Sequence, residues 1–264
     1  MKSKILIIGK KSFIGSNLKK HLSKYFSVKI ETYENLKKKK EDFLSNYTHI
    51  INTAIHKNYI KKKYNQRFDL DRQIIKNVKN INFIYFFLNS RKIYKPNFNI
   101  LETSKLRPQS NYAKNKIITE NYLKKKIRNK LTSLRISNVI GNRTYKKHRN
   151  SHILFLDNYL KLKKNNKNYI TNNDYKDFIT INYLCEVIEK LIKKNVTGTF
   201  NVSLSKKVYI SEITKWLNYN VFKKLTFINR HSDSFTLSNK KLLRHINIKI
   251  SKNQLKDFCK KLKI

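Results

Sequence analysis

Tyr112 and Lys116 have the side chains and the spacing for proton transfer. Residues four apart share one face of a helix. An ammonium next to a phenol favours the phenolate and lowers its pKa toward neutrality. Such a phenol can pass a proton to or from a substrate hydroxyl or carbonyl. A chain with 16 tyrosines and 60 lysines and arginines also produces this spacing by chance, as Tyr59 with Lys63 and Tyr122 with Lys126 show. Context must therefore decide. Ser90 stands just after the apolar run Ile81 to Leu88. Ligands of open parallel sheets gather at the carboxyl ends of strands. There the Ser90 hydroxyl could bond the reacting oxygen and Tyr112, or it could simply cap a turn.

A second constellation suits a dinucleotide. Gly9-Lys-Lys-Ser-Phe-Ile-Gly15 follows an apolar strand and precedes a helix. Glycine permits a tight turn, and a helix N-terminus offers amides and a positive dipole to a pyrophosphate. The candidate contacts are Gly9, Lys11, Ser12, Phe13, Ile14 and Gly15. Two of the three glycines of a G-x-x-G-x-x-G pattern are kept, and Ser12 takes the middle place, where a side chain would narrow the approach of the phosphates. A turn needing glycine for shape alone is the competing reading. Glu31, near the end of the second strand, suits the ribose hydroxyls of NAD, whereas Lys10 and Lys11 suit the extra phosphate of NADP. The cofactor reads as NAD or NADP.

These residues need a scaffold. Strand-sized runs at Ile5 to Ile8, Val28 to Thr32, His49 to Asn52, Ile81 to Leu88 and Leu131 to Arg135 alternate with amphipathic stretches at Ser16 to Tyr25, Phe68 to Val78 and Tyr112 to Ile127. Such alternation marks an α/β fold, a doubly wound, Rossmann-like parallel sheet. Residues 1–141 with about 172–195 form the expected dinucleotide-binding domain, and 142–171 with 196–264 a small C-terminal substrate-binding annex. The chain has 264 residues, 39% of them hydrophobic, enough for one core and too many for general disorder.

The first strand starts at once, leaving no room for a leader, and no run is long enough to span a bilayer. Cys185 and Cys259 show neither disulfide framework nor metal spacing, so no metal is expected and a reducing cytoplasm is. In that compartment the Asn-x-Ser/Thr triplets at Asn46, Asn142 and Asn201 carry no sugar. The net charge of +44 attracts polyanions. The lysines, however, fall in short runs along the whole chain, at Lys37 to Lys40, Lys61 to Lys63 and Lys124 to Lys126, without one stripe interleaved with aromatics. The pattern reads as a solvated basic surface, and nucleic acid is not the expected partner.

In order along the chain, several segments resemble the extended short-chain dehydrogenase/reductase family, the NAD-dependent epimerase/dehydratase group. KILIIGKKSFIGSNL at Lys4 to Leu18 is similar to its opening strand and glycine turn. Ile50-Ile-Asn-Thr-Ala54 occupies the place of its cofactor-contacting segment, and Asn89-Ser90-Arg-Lys-Ile-Tyr94 that of its serine segment. Leu134 to Gly141, Lys176 to Leu184, Gly198 to Val202 and Phe235 to Leu242 resemble later family segments.

The resemblance implies that Tyr112 is the acid/base, that Lys116 lowers its pKa and holds the nicotinamide ribose, and that Ser90 orients the substrate oxygen. It adds Ala54 to the cofactor contacts. Asn138 would face the phosphates of a nucleotide-sugar substrate, and Lys176 replaces an arginine that grips the diphosphate. Asp69 stands where the family often has asparagine. Sugar 4,6-dehydratases of the family carry an Asp-Glu pair after the serine position. Arg91 and Lys92 stand there instead, which favours a ketoreductase or 4-epimerase. The family's homodimer would pair helices near Phe68 to Val78 and Tyr112 to Ile127, with like charges opposing it. A cofactor-binding member without turnover and a nucleic-acid-binding protein on the same scaffold are the alternatives.

Overall fold

The computed structural model describes residues 3–141, 169–217 and 225–262. The strands are β1 (Lys4–Ile8), β2 (Ser27–Glu31), β3 (His49–Asn52), β4 (Ile84–Ser90), β5 (Leu131–Ile136), β6 (Asn138–Ile140), β7 (Tyr169–Asn172), β8 (Tyr175–Lys176), β9 (Phe178–Thr180), β10 (Gly198–Val202), β11 (Val208–Tyr209) and β12 (Leu225–Ile228). Six of them form a parallel sheet in the order β10-β5-β4-β3-β1-β2. The others pair as β6 with β9, β7 with β12 and β8 with β11.

The helices used below are α1 (Phe13–Leu22), α2 (Tyr33–Lys37), α3 (Lys57–Lys61), α4 (Leu70–Ile75), α5 (Asn111–Ile127), α6 (Ile181–Lys193), α7 (Ile210–Trp216), α8 (Lys240–His245) and α9 (Lys252–Lys260). Because strand side chains alternate, β1 serves two cores at once. Ile5 and Ile7 pack with Leu18, Leu22 and Leu184 of α1 and α6. Leu6 and Ile8 pack on the opposite face with Ile74, Ile75 and Leu123 of α4 and α5. A strand buried on both faces must be apolar throughout, which is why Ile5–Ile8 contains no polar residue.

Side-chain caps set the element ends. Ser12 accepts from Gly15 N and starts α1 before the expected Ser16, while Asp69 accepts from Arg72 N at the head of α4. Thr32, read as a strand residue, instead leaves β2 and caps α2 through Asn35 N. The fourth strand runs later than its apolar stretch, because pairing with β5 extends to Ser90 opposite Ile136.

The domain division needs one correction. Gly198–Val202, assigned from sequence to the annex, is the outermost strand of the central sheet beside β5. Five residues with a buried asparagine among them gave no clear strand period. Asn201 is fully buried because Tyr94 OH donates to its Oδ1 at 3.1 Å and its Nδ2 donates to the Ile100 carbonyl at 2.9 Å. Residues 142–168, part of the expected annex, lie outside the described residues. The later segments share the main core, since Leu242 of α8, Ile246 just after it, and Leu255 and Cys259 of α9 belong to the α1–α6 cluster. Among the described residues no helix is long and apolar enough to cross a membrane.

A buried ion pair ties α5 to β5. Arg135 donates from Nη2 to Glu120 Oε2 at 2.8 Å and from Nε to Oε1 at 3.3 Å, and the two side chains are 4% and 0% exposed. Removing one partner strands the other charge, so Glu120→Gln is expected to cost ~3 kcal/mol, read as a lower denaturation midpoint. Adding Arg135→Met to Glu120→Gln should restore part of that loss, because the orphaned guanidinium goes with it.

Candidate active site

The C-terminal ends of β1, β2, β3, β4 and β5 open on one edge of the sheet, where Gly9 follows β1, Glu31 ends β2, Ala54 follows β3 and Ser90 ends β4. At β1 the chain turns through Gly9, whose φ of +117° suits glycine. Gly9 N donates to the Glu31 carbonyl at 2.7 Å, which places the β2 tip against the turn. The Glu31 carboxylate is half-buried, accepts from Asn35 Nδ2 at 3.3 Å and lies 3.4 Å from Lys29 Nζ. Lys10 and Lys11 are exposed. The Ser12 hydroxyl turns back onto the helix, to Gly15 N at 3.2 Å. The amides of Phe13 and Ile14 meet no acceptor among the described residues, and they point where a helix dipole favours an anion.

Thr53, which the sequence reading passed over beside Ala54, wedges into this turn. Its hydroxyl donates to the Ile8 carbonyl at 2.8 Å. A Cβ on Gly9 would lie 2.4 Å from Thr53 Oγ1, and one on Gly15 would lie 2.5 Å from the same atom. The glycines are thus required by packing as well as by turn shape, and the turn presents backbone amides with no side chain from either position over them.

Behind Ala54 lies a polar network that no local motif announces. Ala54 N donates to Asn52 Oδ1 at 3.0 Å, and Asn52 Nδ2 donates to Asp71 Oδ1 at 2.9 Å. Tyr85 OH donates to the same oxygen at 2.8 Å. Burial pushes the Asp71 carboxyl up to about 6, while the Lys116 charge pulls it down. Asp69, at the position where asparagine was expected, is fully buried and accepts from Tyr64 OH at 2.9 Å and Thr119 Oγ1 at 2.7 Å.

Lys116 is buried, and its Nζ donates to the Leu88 carbonyl at 2.8 Å, two residues before Ser90. The ammonium also lies over the Phe87 ring at 4.5 Å and 6.0 Å from the ring centre of Tyr112. Tyr112, one turn earlier on α5, is half-buried, and its hydroxyl has no hydrogen-bond partner among the described residues. Of the tyrosines in the chance pairs, Tyr59 is buried, with its hydroxyl on Thr119 Oγ1 and its ring 5.7 Å from Lys116 Nζ, and Tyr122 lies under Arg72. Ser90 does cap a turn, accepting from Lys92 N at 3.3 Å. That contact uses one lone pair of Oγ and leaves its proton to donate.

Beyond Ser90 the edge is cationic. Arg91 donates from both terminal nitrogens to Asp233, at 3.0 and 2.9 Å, and Lys176 Nζ reaches the same carboxylate at 2.7 Å. Burial raises the Asp233 carboxyl, but bonds and charge from Arg91 and Lys176 outweigh it and hold it at about 2. Lys176, expected to face a diphosphate, is therefore already paired, a long-range contact its sequence neighbours do not reveal. Asn138 opens β6 just past the end of β5, half-buried, on the same edge.

A parallel sheet with a glycine turn after its first strand and a tyrosine–lysine helix on its fourth defines a dinucleotide-dependent enzyme scaffold. The NAD dependent epimerase/dehydratase family profile matches residues 5–203, and the chain belongs to that family. No curated protein sequence matches it. Among solved structures it is similar to UDP-N-acetylglucosamine 4-epimerase from Methanobrevibacter ruminantium, in complex with UDP-N-acetylmuramic acid, with 20% identity, 98% and 97% of the two chains covered, and a TM-score of 0.75. It is also similar to WbmH from Bordetella bronchiseptica in complex with NAD+, at 15% identity, 98% and 97% coverage and a TM-score of 0.77. RMD from Pseudomonas aeruginosa complexed with NADPH follows at 14%, with 98% and 96% covered and a TM-score of 0.70.

The Asp71 carboxyl has a pH signature. Its ordinary value is 3.8, so between that and about 6 the folded chain holds a proton that the unfolded chain releases. Its stabilising contribution is complete at low pH and is lost as pH rises through about 6. Asp71→Asn removes this dependence. The melting temperature of the variant minus that of the native protein should therefore become more positive between about pH 4 and about pH 7. A difference that stays constant across this range refutes the assignment.

Proposed function

We propose that this chain exchanges a hydride between NAD or NADP and a nucleoside-diphosphate sugar, with Tyr112 relaying the accompanying proton. The observation that carries this is the Lys116 bond to the Leu88 carbonyl, which sets the Tyr112 helix on β4 at the edge that also holds the glycine turn. The named activity of the Methanobrevibacter neighbour and the dinucleotides of the other two support the same class.

The turn fits a dinucleotide, because any Cβ on Gly9 or Gly15 would collide and, among the described residues, the amides of Phe13 and Ile14 meet no acceptor. Gly9, Lys11, Ser12, Phe13, Ile14 and Gly15 would hold its pyrophosphate end, Glu31 its adenosine ribose, Ala54 its middle, and Tyr112 with Lys116 its nicotinamide ribose. When bound, the nicotinamide supplies the hydride donor and acceptor.

The chain supplies the rest. Tyr112 takes the proton from the sugar hydroxyl, or returns it to the carbonyl. The Lys116 charge stabilises negative charge on the phenol oxygen. Ser90 donates its remaining proton to the sugar oxygen and so orients it. Asn138 and Lys176 face the diphosphate, with Lys176 shared between substrate and Asp233. Arg91 and Lys92 cannot act as a carboxylic acid and carboxylate pair on neighbouring carbons, which disfavours 4,6-dehydration and leaves a 4-epimerase or a ketoreductase. Dinucleotide that stays with the protein through gel filtration supports the epimerase, and dinucleotide that exchanges supports the reductase.

Tyr112→Phe should lower turnover by at least ~100-fold while dinucleotide affinity stays within about threefold. Turnover retained in that variant removes Tyr112 as the acid/base. Lys116→Ala should weaken both binding and rate, measured by dinucleotide titration and by turnover.

A further inference from the structure

A groove away from the site described above lies on the α4 side of the sheet. Its volume is about 440 Å³, and it runs between α2, the stretch from Lys39 to Leu44 and the end of α4. The floor is apolar: Leu44 and Ile74 belong to the core beneath, and Leu36 and Val78 pack against that core. Leu44 leads into the start of β3 and Val78 toward the start of β4, whereas Gly9 follows the end of β1. The groove therefore descends along the flank of the parallel sheet, away from the glycine turn.

Its rim carries one sign of charge. Lys37, Lys39, Lys40 and Lys76 line it, and among the described lining residues none is acidic. Lys37 lies 3.4 Å from Glu34 and over the Tyr33 ring at 4.9 Å. Lys39 lies over the Phe43 ring at 5.7 Å, and Lys29 over the same ring at 5.3 Å. Lys39, Lys40 and Lys76 are exposed and form no ion pair among the described residues. Like charges gathered around one concave surface raise its attraction for an anion.

Two amides complete the lining. Gln73 uses its Nε2 on the Gln66 carbonyl at 2.8 Å, which leaves Oε1 as an acceptor. Asn77, four positions on, is exposed, and its side chain has no hydrogen-bond partner among the described residues. Such amides can both donate to and accept from the edge of an adenine. An apolar floor suits a flat ring, lysines suit phosphates, and the volume is that of a small-molecule site. We propose that this groove binds a purine nucleotide carrying two or more phosphates, at a site separate from the dinucleotide cleft. It does not rest on the reaction proposed above.

The test is photolabelling of the native protein with 8-azido-ADP, mapped by mass spectrometry of its peptides. Adducts should fall within residues 33–44 or 73–78, and excess ADP should protect against them. Lys40→Met combined with Lys76→Met should lower this labelling at least about tenfold, with a cooperative melt reporting that the variant is folded. Dinucleotide affinity should stay within about threefold in the same variant. An equal change of charge on the opposite face, Lys240→Met with Lys260→Met, should leave the labelling within about threefold. Absence of adducts in these two segments, or dinucleotide affinity that falls together with the labelling, overturns a separate site. Labelling that survives Lys40→Met with Lys76→Met, or that falls as far in the Lys240 and Lys260 variant, overturns it too. Tripolyphosphate that protects as well as ADP shows lysines reading phosphate alone, and the nucleotide site is then overturned.

Discussion

The hydrogen bond from Lys116 Nζ to the Leu88 carbonyl fixes where α5 lies along β4, and the other candidate side chains take their positions from that register. A buried ammonium needs compensation, and here it comes from one carbonyl, the faces of the Phe87 and Tyr59 rings, and the charge of Asp71. Asp71 in turn orients Asn52, which holds the amide of Ala54. One ammonium therefore couples the helix that carries Tyr112 to the stretch from Asn52 to Ala54 beside the glycine turn. Glu120 and Arg135 secure the same helix from its other side, through β5.

The charge of the protein is distributed unevenly in depth. The sequence holds 16 acidic residues, and Asp69, Asp71, Glu120, Asp174, Asp177 and Glu189 are buried. Asp177 shows how they are used: fully buried, it accepts the backbone amides of Leu204, Ser205 and Leu237 and so gathers three stretches of the C-terminal half. Interior acids act as connectors, and the exposed lysines are left with few opposite charges. The repulsion of a chain at +44 is spread over solvated side chains, while the pair of Glu120 with Arg135 sits inside.

Much of this was legible in the sequence because it is local. The apolar run of β1, the glycines of the following turn and the tyrosine–lysine spacing each occupy a few consecutive residues, and the structure brings them to one edge. What stayed hidden depends on contacts between distant residues. Thr53 meets Gly9 from 44 positions further on, Tyr85 finds Asp71 from 14, and Asp233 pairs with Arg91 from 142. Gly198–Val202 was hidden for another reason: an edge strand with a buried asparagine lacks the alternation by which strands are recognised. The serine at the end of β4 had two readings, and its geometry accommodates both, since the capping contact leaves a proton free.

The wedge formed by Thr53 also constrains how this sequence can change over generations. One hydroxyl fills the space that a methyl group on either Gly9 or Gly15 would need. Neither glycine can be exchanged while threonine stays, and exchanging Thr53 first gives up its bond to the Ile8 carbonyl. The three positions are locked together, so this corner cannot be eroded one substitution at a time.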